Sequence, residues 1–196
     1  MKKFISILMI LVVTLSLSSC ANKENNEKVN NSKIELASLT EEESNILQLF
    51  GVDTTSKVFD YVVDEKATSM AIKQYILDEN LEWKENGGSS VSIEDLKGRI
   101  AISINDNSSI RIAIQDKNGV GAWISDPESL EDIQAHAKST SWANSSDIAY
   151  NEEIPLVIQI NTSSNEIASY GVESFFDTQR LKGHDKVIAL TVTFSK

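Results

Sequence analysis

The sequence predicts a mainly β fold, either an antiparallel β-sandwich or a related α+β single domain. Apolar and polar residues alternate with a period of two in several separated segments, as expected of strands that bury one face. Two of these segments adjoin and predict a hairpin. Helical periodicity is confined to short stretches, and because no long helix separates the strands regularly, a parallel α/β fold is disfavoured.

The first predicted element is a short amphipathic helix. Thr40 and Glu43 have the spacing of a capping box, and Glu41 and Glu42 suit the positive end of the helix dipole. The apolar residues that follow on one helical face are Ile46, Leu49 and Phe50. Gly51 is a natural stop. The three glutamates could also bind a cation, but a solvated helix start is the simpler interpretation.

After the helix, the spacing of the apolar residues changes to the period of two that is typical of a strand. The apolar residues on one face of the first strand are Phe59, Tyr61 and Val63. Residues 68–77 fit either a strand or a helix, and we favour the strand. A short continuation with Leu81 and Trp83 is expected to stop at the turn signal Asn86-Gly87-Gly88.

The clearest local prediction is an isoleucine-rich hairpin. Six isoleucines alternate with smaller or polar residues on either side of a turn at 105–109, and they are Ile100, Ile102, Ile104, Ile110, Ile112 and Ile114. Because all six lie on one face, the hairpin is predicted to cover a core. Asn118-Gly119 then predicts a tight turn into a third strand at 120–124.

The pattern that follows is mixed. Asp126 and Pro127 predict the start of a short helix that extends to Lys138. The apolar residues on one face of this helix are Leu130, Ile133 and Ala137. Residues 139–146 are polar around Trp142 and predict a loop.

Two more strands are predicted near the C-terminus, with a short helical connection between them at 172–181. The apolar residues of the first strand are Ile154, Leu156, Ile158 and Ile160, and those of the last are Ile188, Leu190, Val192 and Phe194. Pro155 lies on the outer face of the first strand, and a proline there indicates either an edge strand or the beginning of the strand.

The N-terminus carries an export signal. Lys2 and Lys3 precede an almost unbroken apolar run at 4–17, which is short for a membrane span and ends in small residues. The segment Leu17-Ser18-Ser19-Cys20 resembles the lipobox of bacterial lipoproteins. The resemblance implies that the thiol of Cys20 receives a diacylglyceryl group and that cleavage makes Cys20 the N-terminus. The alternative is a chance cysteine at the end of an ordinary signal or anchor.

These features divide the chain into a signal peptide at 1–19, a polar tether at 20–33 and a single folded domain at 34–196. The tether has Val29 as its only large apolar side chain before the domain, so it buries too little surface to offset the entropy of ordering. Cys20 is the only cysteine of the chain, and the domain is therefore expected to fold without disulfides.

A wider resemblance rests on four further segments. They are Leu47-Gln48-Leu49-Phe50-Gly51, Lys97-Gly98-Arg99-Ile100-Ala101-Ile102-Ser103-Ile104, Asn151-Glu152-Glu153-Ile154-Pro155-Leu156 and Leu190-Thr191-Val192-Thr193-Phe194. Through them the whole chain is similar to uncharacterised lipoproteins of low-GC Gram-positive bacteria. Such a family brings no known chemistry, so the resemblance implies no catalytic residue.

Charge limits the classes of partner. The formal net charge is −11, and removal of a signal that carries two lysines makes the chain more acidic still. An acidic domain is repelled by phosphate backbones, so nucleic acid is not expected as a partner. Acidity also disfavours contact with an anionic membrane surface, and we expect the tether to hold the domain away from the bilayer.

The sequence contains no recognisable catalytic or metal-binding motif. His136 and His184 lie in no nucleophile motif, and lipidation would consume the thiol of Cys20. Two isolated histidines exclude the spacing of zinc sites, and the turns at 105–107 and 116–119 lack the full series of calcium ligands. No cofactor, metal or catalytic residue is therefore assigned.

Two weaker patterns remain as alternatives. Paired carboxylates could hydrolyse a glycosidic bond, and three tryptophans could form a platform for sugar rings. The carboxylates are Asp60, Asp64, Glu82 and Asp106, and the tryptophans are Trp83, Trp123 and Trp142. No pair of carboxylates stands out, and core packing is the better interpretation of the tryptophans.

These observations predict a non-enzymatic binding domain, anchored to the cell membrane through lipid on Cys20 and facing outside the cytoplasm. The expected partner is an envelope protein or a cell-wall component. The alternative is a carboxylate-dependent hydrolase that acts on the envelope. A transporter solute receptor fits less well, because the chain is short for two lobes.

Overall fold

Eleven β-strands form two antiparallel sheets in the computed structural model, which describes residues 32–52, 54–105, 109–124, 137–165 and 167–196. In chain order the strands are β1 (Lys33–Leu36), β2 (Ser56–Val62), β3 (Ser69–Leu77), β4 (Trp83–Ser92), β5 (Lys97–Ile104), β6 (Ile110–Asp116), β7 (Gly119–Ile124), β8 (Ala137–Trp142), β9 (Ser145–Asp147), β10 (Glu153–Thr162) and β11 (Lys186–Ser195). The described residues also include one α-helix, α1 (Glu41–Leu49), and two 3₁₀ helices at Val172–Phe175 and Thr178–Leu181. The predicted mainly β, antiparallel fold is confirmed.

The two sheets pack face to face. Sheet A has six strands in the order β7-β6-β5-β2-β1-β9, and sheet B has five in the order β4-β3-β11-β10-β8. Buried side chains from both sheets belong to one apolar cluster, as in a β-sandwich. The ring of Tyr61 on β2 meets that of Phe194 on β11 with centroids 5.6 Å apart, and Phe59 on β2 meets Trp142 on β8 at 6.5 Å.

The predicted alternation of residues builds this core. Five isoleucines of the β5–β6 hairpin are buried, and Ile114 packs against them at the border of the cluster. The predicted inward residues of the β2 segment and of β11 are buried as well, and they are Phe59, Tyr61, Val63, Ile188, Leu190, Val192 and Phe194. Residues 69–77 form β3, so the strand interpretation of that segment is confirmed.

β10 departs from the predicted alternation. Its register with β11 shifts between Pro155 and Val157, so β10 has one extra residue at that point. Leu156 consequently lies in the main core, whereas Ile158 and Ile160 belong to a separate cluster on the other face of sheet B. The prediction that the apolar residues of this strand share one face is wrong, because a single bulged residue reverses the alternation.

The same bulge accounts for the proline and for polar residues inside the sandwich. β10 lies between β11 and β8, but β8 pairs only with residues 157–162, so Pro155 near the start of β10 pairs with β11 alone, and its assignment to the beginning of the strand is confirmed. The ladder is already interrupted at the bulge, which tolerates a residue without an N–H. Beyond the bulge, Gln159 and Asn161 lie on the same inward face as Val157, and both are buried. The Gln159 amide donates to Thr140 Oγ1 at 3.3 Å, and the Asn161 amide has no hydrogen bond with the described residues.

A second, smaller apolar cluster covers the outer face of sheet B. Ile158 and Val187 contribute from the sheet, and Phe175 and Leu181 cover them from the two 3₁₀ helices. The predicted helical connection at 172–181 therefore consists of two short 3₁₀ segments that shield this face from solvent.

β4 runs through the glycines that were predicted to stop it. Gly87 has a φ of 110°, and the register between β3 and β4 shifts between Lys73 and Tyr75. A Cβ atom on Gly88 would lie 2.6 Å from the backbone oxygen of Ile72. The two glycines thus permit a bulge and a close approach within a continuing strand, rather than ending it.

Two strands lie where a loop was predicted. β8 and β9 occupy most of 139–146. β8 also includes Ala137 and Lys138, for which the helix prediction is wrong, and residues 126–136 of that predicted helix lie outside the described residues. The chain crosses from sheet B to sheet A between these strands. The Ala143 N–H donates to the Leu156 oxygen in sheet B, and the Asn144 oxygen accepts from the Leu36 N–H in sheet A. Because serine and threonine dominate β8 and β9, an apolar period does not reveal them.

We expect Phe194→Ala to lower the free energy of unfolding by about 3–5 kcal/mol, because the ring is fully buried and its loss leaves a cavity beside Tyr61. Ser90→Ala, at an exposed position of β4, should change it by less than about 0.5 kcal/mol. Urea unfolding followed by circular dichroism measures both values. Equal effects of the two substitutions would contradict the central place of Phe194.

Candidate binding groove between the helix and sheet A

A row of small side chains crosses the outer face of sheet A. The register places Ala122 of β7 beside Ala113 of β6, and Ala113 beside Ala101 of β5. Ala101 in turn lies beside Val58 of β2. Their neighbours along the strands point into the core, so this row points outward. It forms a shallow apolar floor.

α1 begins with the predicted capping box. The Glu43 N–H donates to Thr40 Oγ1 at 3.2 Å, and the Thr40 N–H donates to Glu43 Oε2 at 2.8 Å. At the other end, Phe50 is the C-cap and Gly51 follows with a φ of 67°, the left-handed conformation that glycine adopts without steric cost. The predicted start and stop of this helix are both confirmed.

An arginine on the sheet holds the helix over the floor. Arg99 Nη1 lies 2.7 Å from Glu43 Oε1, and Arg99 Nε lies 2.9 Å from Asp60 Oδ1. The planar guanidinium therefore joins α1 to β2 and β5 through two charge-assisted hydrogen bonds. Hydrogen bonds from Arg99 and Thr40 lower the pKa of Glu43 to about 2, and the bond to Glu43 raises the pKa of Arg99.

The helix leaves its apolar side chains in solvent. No residue of α1 is buried, and Ile46 is 53% exposed, Leu49 86% and the C-cap Phe50 77%. An amphipathic helix on a globular domain ordinarily turns such a face to the core. Here the apolar face that the sequence predicts is open, and exposed apolar patches of this kind mark interaction sites.

Helix and floor enclose a groove of about 280 Å³, which we call the α1 groove. Leu39, Ile46 and Leu47 line one side, and the floor consists of Val58, Ala101 and Ala113 from the row described above. Glu43 and Arg99 are the charged residues of the lining, and they neutralise each other. The groove suits an apolar group, because most of its lining is apolar and its two charged side chains bond to each other.

A second groove opens at the edge of the sandwich, between β7 of sheet A and β4 of sheet B. This edge groove has a volume of about 310 Å³ and is lined by Tyr61, Val91, Ile93, Ile114, Asp116 and Val120, among others. Val120 lines the α1 groove as well. A third depression, of about 380 Å³, lies on the other side of α1 against β1 and β2.

The residues singled out from the sequence do not assemble into one site. Cys20, His136 and Asp106 lie outside the described residues. His184 is partly buried, and its ring contacts that of Tyr170 with centroids 6.1 Å apart. This contact suits a packing role.

The three carboxylates that the structure describes are bound to different partners. Asp60 pairs with Arg99, and Glu82 Oε2 lies 2.7 Å from Lys84 Nζ. Asp64 accepts a hydrogen bond of 2.7 Å from the Tyr150 hydroxyl, and this bond lowers the pKa of the Asp64 carboxyl. None of the three lines the α1 groove or the edge groove, so no acid and base pair forms there from them.

Metal ligation finds no support among the residues described: no group of three or more His, Cys, Asp or Glu side chains is placed to hold an ion there. In the turn between β6 and β7, a carboxylate oxygen that could have bound calcium accepts a hydrogen bond from the turn itself. The Asn118 N–H donates to Asp116 Oδ1 at 2.7 Å, which is an ordinary use of aspartate in a turn.

The three tryptophans pack in two different clusters. Trp83 stacks on Phe175 with centroids 5.1 Å apart, and its Nε1–H donates to the Phe175 oxygen at 2.8 Å on the outer side of sheet B. Trp123 and Trp142 pack against the main core instead. They do not form a single platform, and the packing interpretation is confirmed.

One further polar network lies on the outer side of sheet B. The Tyr75 hydroxyl donates to the carboxylate of Glu153, which also accepts from Thr191 Oγ1 at 3.3 Å. Burial, and then the bond to Glu153, raise the pKa of Tyr75. The network links β3, β10 and β11, and a tyrosine that ionises less readily is poorly suited to act as a base.

Sequence reasoning missed the floor of the α1 groove. The signal lay in the residues that alternate with the isoleucines, since Ala101 and Ala113 are smaller than most outward-facing strand residues. Small residues at the outer positions of neighbouring strands indicate that another element lies close to that face. The register that aligns them with Ala122 came only from the structure.

Comparisons with protein-family models, with curated proteins and with solved structures each returned no match. Within the described ranges, no helix has both the length and the apolar character needed to cross a membrane.

We expect Glu43→Gln to remove a pH-dependent part of the stability. The pKa of the carboxyl is about 2 in the folded protein against 4.5 as its ordinary value, so the charged form stabilises the fold fully above about pH 4.5 and its contribution disappears as the pH falls to about 2. The unfolding midpoint of the wild type in urea should therefore exceed that of Glu43→Gln at pH 7, and the two should converge in acid.

Glu42→Gln is the matched control, because Glu42 lies on the same helical turn and is exposed. It should leave the pH dependence unchanged. A constant difference between wild type and Glu43→Gln from pH 7 to pH 2 would show that the ion pair with Arg99 does not hold α1.

Proposed function

We propose that the protein is a membrane-anchored lipoprotein whose β-sandwich binds a partner outside the cytoplasm and performs no catalysis. The observation that carries the binding role is the α1 groove beside an exposed apolar helix face. Ile46 lines the groove and is half exposed, and Leu49 and Phe50 continue the apolar surface beyond it. A helix held at its start by an ion pair, with its apolar side chains open, suits the recognition of an apolar surface.

The chemistry of the grooves supports binding rather than hydrolysis. The α1 groove contains one carboxylate, Glu43, which is tied to Arg99, and the edge groove contains one, Asp116. The depression on the other side of α1 contains no carboxylate. Glycoside hydrolysis by an acid and a base requires two carboxylates that converge on one bond. The hydrolase alternative therefore gains no support from the described grooves.

Anchoring rests on the sequence. Cys20 at the end of the lipobox-like Leu17-Ser18-Ser19-Cys20 would receive the lipid, and the polar stretch that follows would separate the domain from the bilayer. Two or three acyl chains anchor a protein stably, at about 0.8 kcal/mol per buried methylene group. A binding domain in this position meets envelope proteins and cell-wall components.

We expect Cys20→Ser to abolish labelling of the protein by a fatty-acid analogue in living cells, because the hydroxyl cannot replace the thiolate as the acceptor. The variant should remain as uncleaved precursor or be released. Ser18→Ala keeps a small residue in the lipobox and should be labelled normally. Labelling of Cys20→Ser would refute the anchoring proposal.

Binding through the α1 groove can be tested on intact cells. With a photo-crosslinking residue in place of Ile46, we expect a discrete envelope adduct, whereas the same residue in place of Glu79, exposed in the turn between β3 and β4, should give none. Adding Ala101→Leu, which fills the floor, should reduce the adduct at least fivefold. Thr193→Leu, on the outer side of sheet B, is the matched control and should leave the adduct intact. The absence of any adduct specific to position 46 would contradict the binding role.

A further inference from the structure

We propose that the free edge of β7 receives an extended segment of a partner polypeptide as an additional strand of sheet A, with apolar side chains that alternate between the α1 groove and the edge groove. This inference rests on the proposed binding function and names the form of the partner. Recognition by strand addition uses main-chain hydrogen bonds for affinity and pockets for alternate side chains for specificity.

β7 is an edge strand without the usual protection. Within the described residues it pairs with β6 alone, and it contains no charged residue and no proline. Exposed edges are ordinarily blunted by charge, by bulges or by short length. Each of the other three edges has such a feature: β9 has three residues, β8 carries Lys138, and β4 carries Lys84 and Glu85 and the glycine bulge. β7 alone among these four edges remains suited to pairing.

The two sides of the β7 edge both have room for side chains. Val120 and Ile124 are 64% and 61% exposed on the outer side, and Ala122 between them is a low point that leads to the floor of the α1 groove. A side chain of an added strand on this outer side would lie beside Ala122 and Val120, and Val120 lines the α1 groove. Because successive residues of a strand point to opposite faces, the next side chain would enter the edge groove.

Gly121 leaves the inner position vacant. It pairs with Ile114, whose side chain packs against the core, so a side chain at 121 would point into the sandwich. A Cβ atom placed there would have no heavy atom of the described residues within 4 Å apart from its chain neighbours, so the space beside Ile114 is open in this part of the structure. An incoming apolar side chain would fill this space and complete the layer that Ile114 borders.

A short extended segment fits the available area better than a second copy of this chain. The six residues of β7 and the three exposed apolar residues at Ile46, Leu49 and Phe50 make nine, whereas a stable interface uses about 20–30 residues on each side. Strand addition requires only an edge of about this length. Two copies would also bring together chains that each have a net charge of −11.

Charge complementarity specifies the segment further. The ion pair of Glu43 with Arg99 leaves the α1 groove neutral, so apolar side chains suit that side. Among the described residues, Asp116 in the edge groove accepts a hydrogen bond from the N–H of Asn118 in its own turn and has no ion pair. Asp116 pairs with Gly119, so a lysine or arginine is expected in the segment near the Gly119 end of β7.

The test uses the full chain in detergent micelles and a phage library of random nonapeptides. We expect enriched peptides to lack proline, to alternate apolar residues and to carry one basic residue. A synthetic copy of the most enriched peptide should bind the wild type and slow amide hydrogen exchange at 119–124. Failure to enrich any peptide above a protein-free control would overturn the inference, as would slowed exchange confined to other strands.

Two substitutions should weaken this peptide at least tenfold. Gly121→Val fills the vacant position, and the φ of Gly121 is not in the left-handed region, so the new side chain introduces no backbone strain. Val120→Lys places a charge on the edge. Ser90→Val, on the exposed part of β4, is the control and should bind as the wild type does. Equal affinity of all four proteins would overturn the proposal, and so would a dimer of the wild type that Gly121→Val dissociates, since the occupant would then be a second copy.

Failure of the strand-addition proposal can be distinguished from failure of the proposed binding function. If the adduct at position 46 on cells is lost in Ala101→Leu but persists in Gly121→Val, the binding role stands and strand addition is wrong. If no adduct forms at all, the binding role itself fails.

Discussion

The contact between Arg99 and its two carboxylates is the interaction on which the candidate binding surface depends. α1 buries none of its side chains, so apolar burial gives it little reason to lie on sheet A. Arg99 holds the helix in place instead, because it bonds Glu43 on the helix and Asp60 on β2 at the same time. A flexible cation without the planar guanidinium would satisfy one carboxylate at a time. The width of the α1 groove therefore follows from the length and geometry of one arginine side chain.

The parts of the fold that could be predicted are those in which one residue period governs a whole strand. In β5 and β11 every residue that was predicted to face inward does so, from Ile100 to Ile104 and from Ile188 to Phe194. β10 could not be predicted in full, because the bulge at Leu156 changes which residues face inward without changing the composition. β8 and β9 could not be predicted for a different reason. They are strands because their backbones pair with β10 and β1, which no local pattern reveals.

The candidate site was less predictable than the fold. The capping box at Thr40 and the apolar side chains of α1 were evident in the sequence, but their exposure depends on how the helix sits on sheet A. Ala101 and Ala113 can be recognised as part of a groove only when the register shows that they lie side by side beneath that helix. Gly121 similarly looks like an ordinary strand glycine until its missing side chain is seen to leave open space beside Ile114. Surfaces built from neighbouring strands combine residues that are distant in sequence.

β1 gives the domain a particular response to mechanical load. It is the first strand after the predicted tether, and it lies within sheet A, bonded to β2 on one side and to β9 on the other. Tension on the preceding chain enters the domain at this strand and is shared by two hydrogen-bonded ladders. A terminal strand at an edge would peel away from one neighbour bond by bond. Here Ile34 is also fully buried, so a pull on the chain that precedes β1 must disrupt the core and both ladders together.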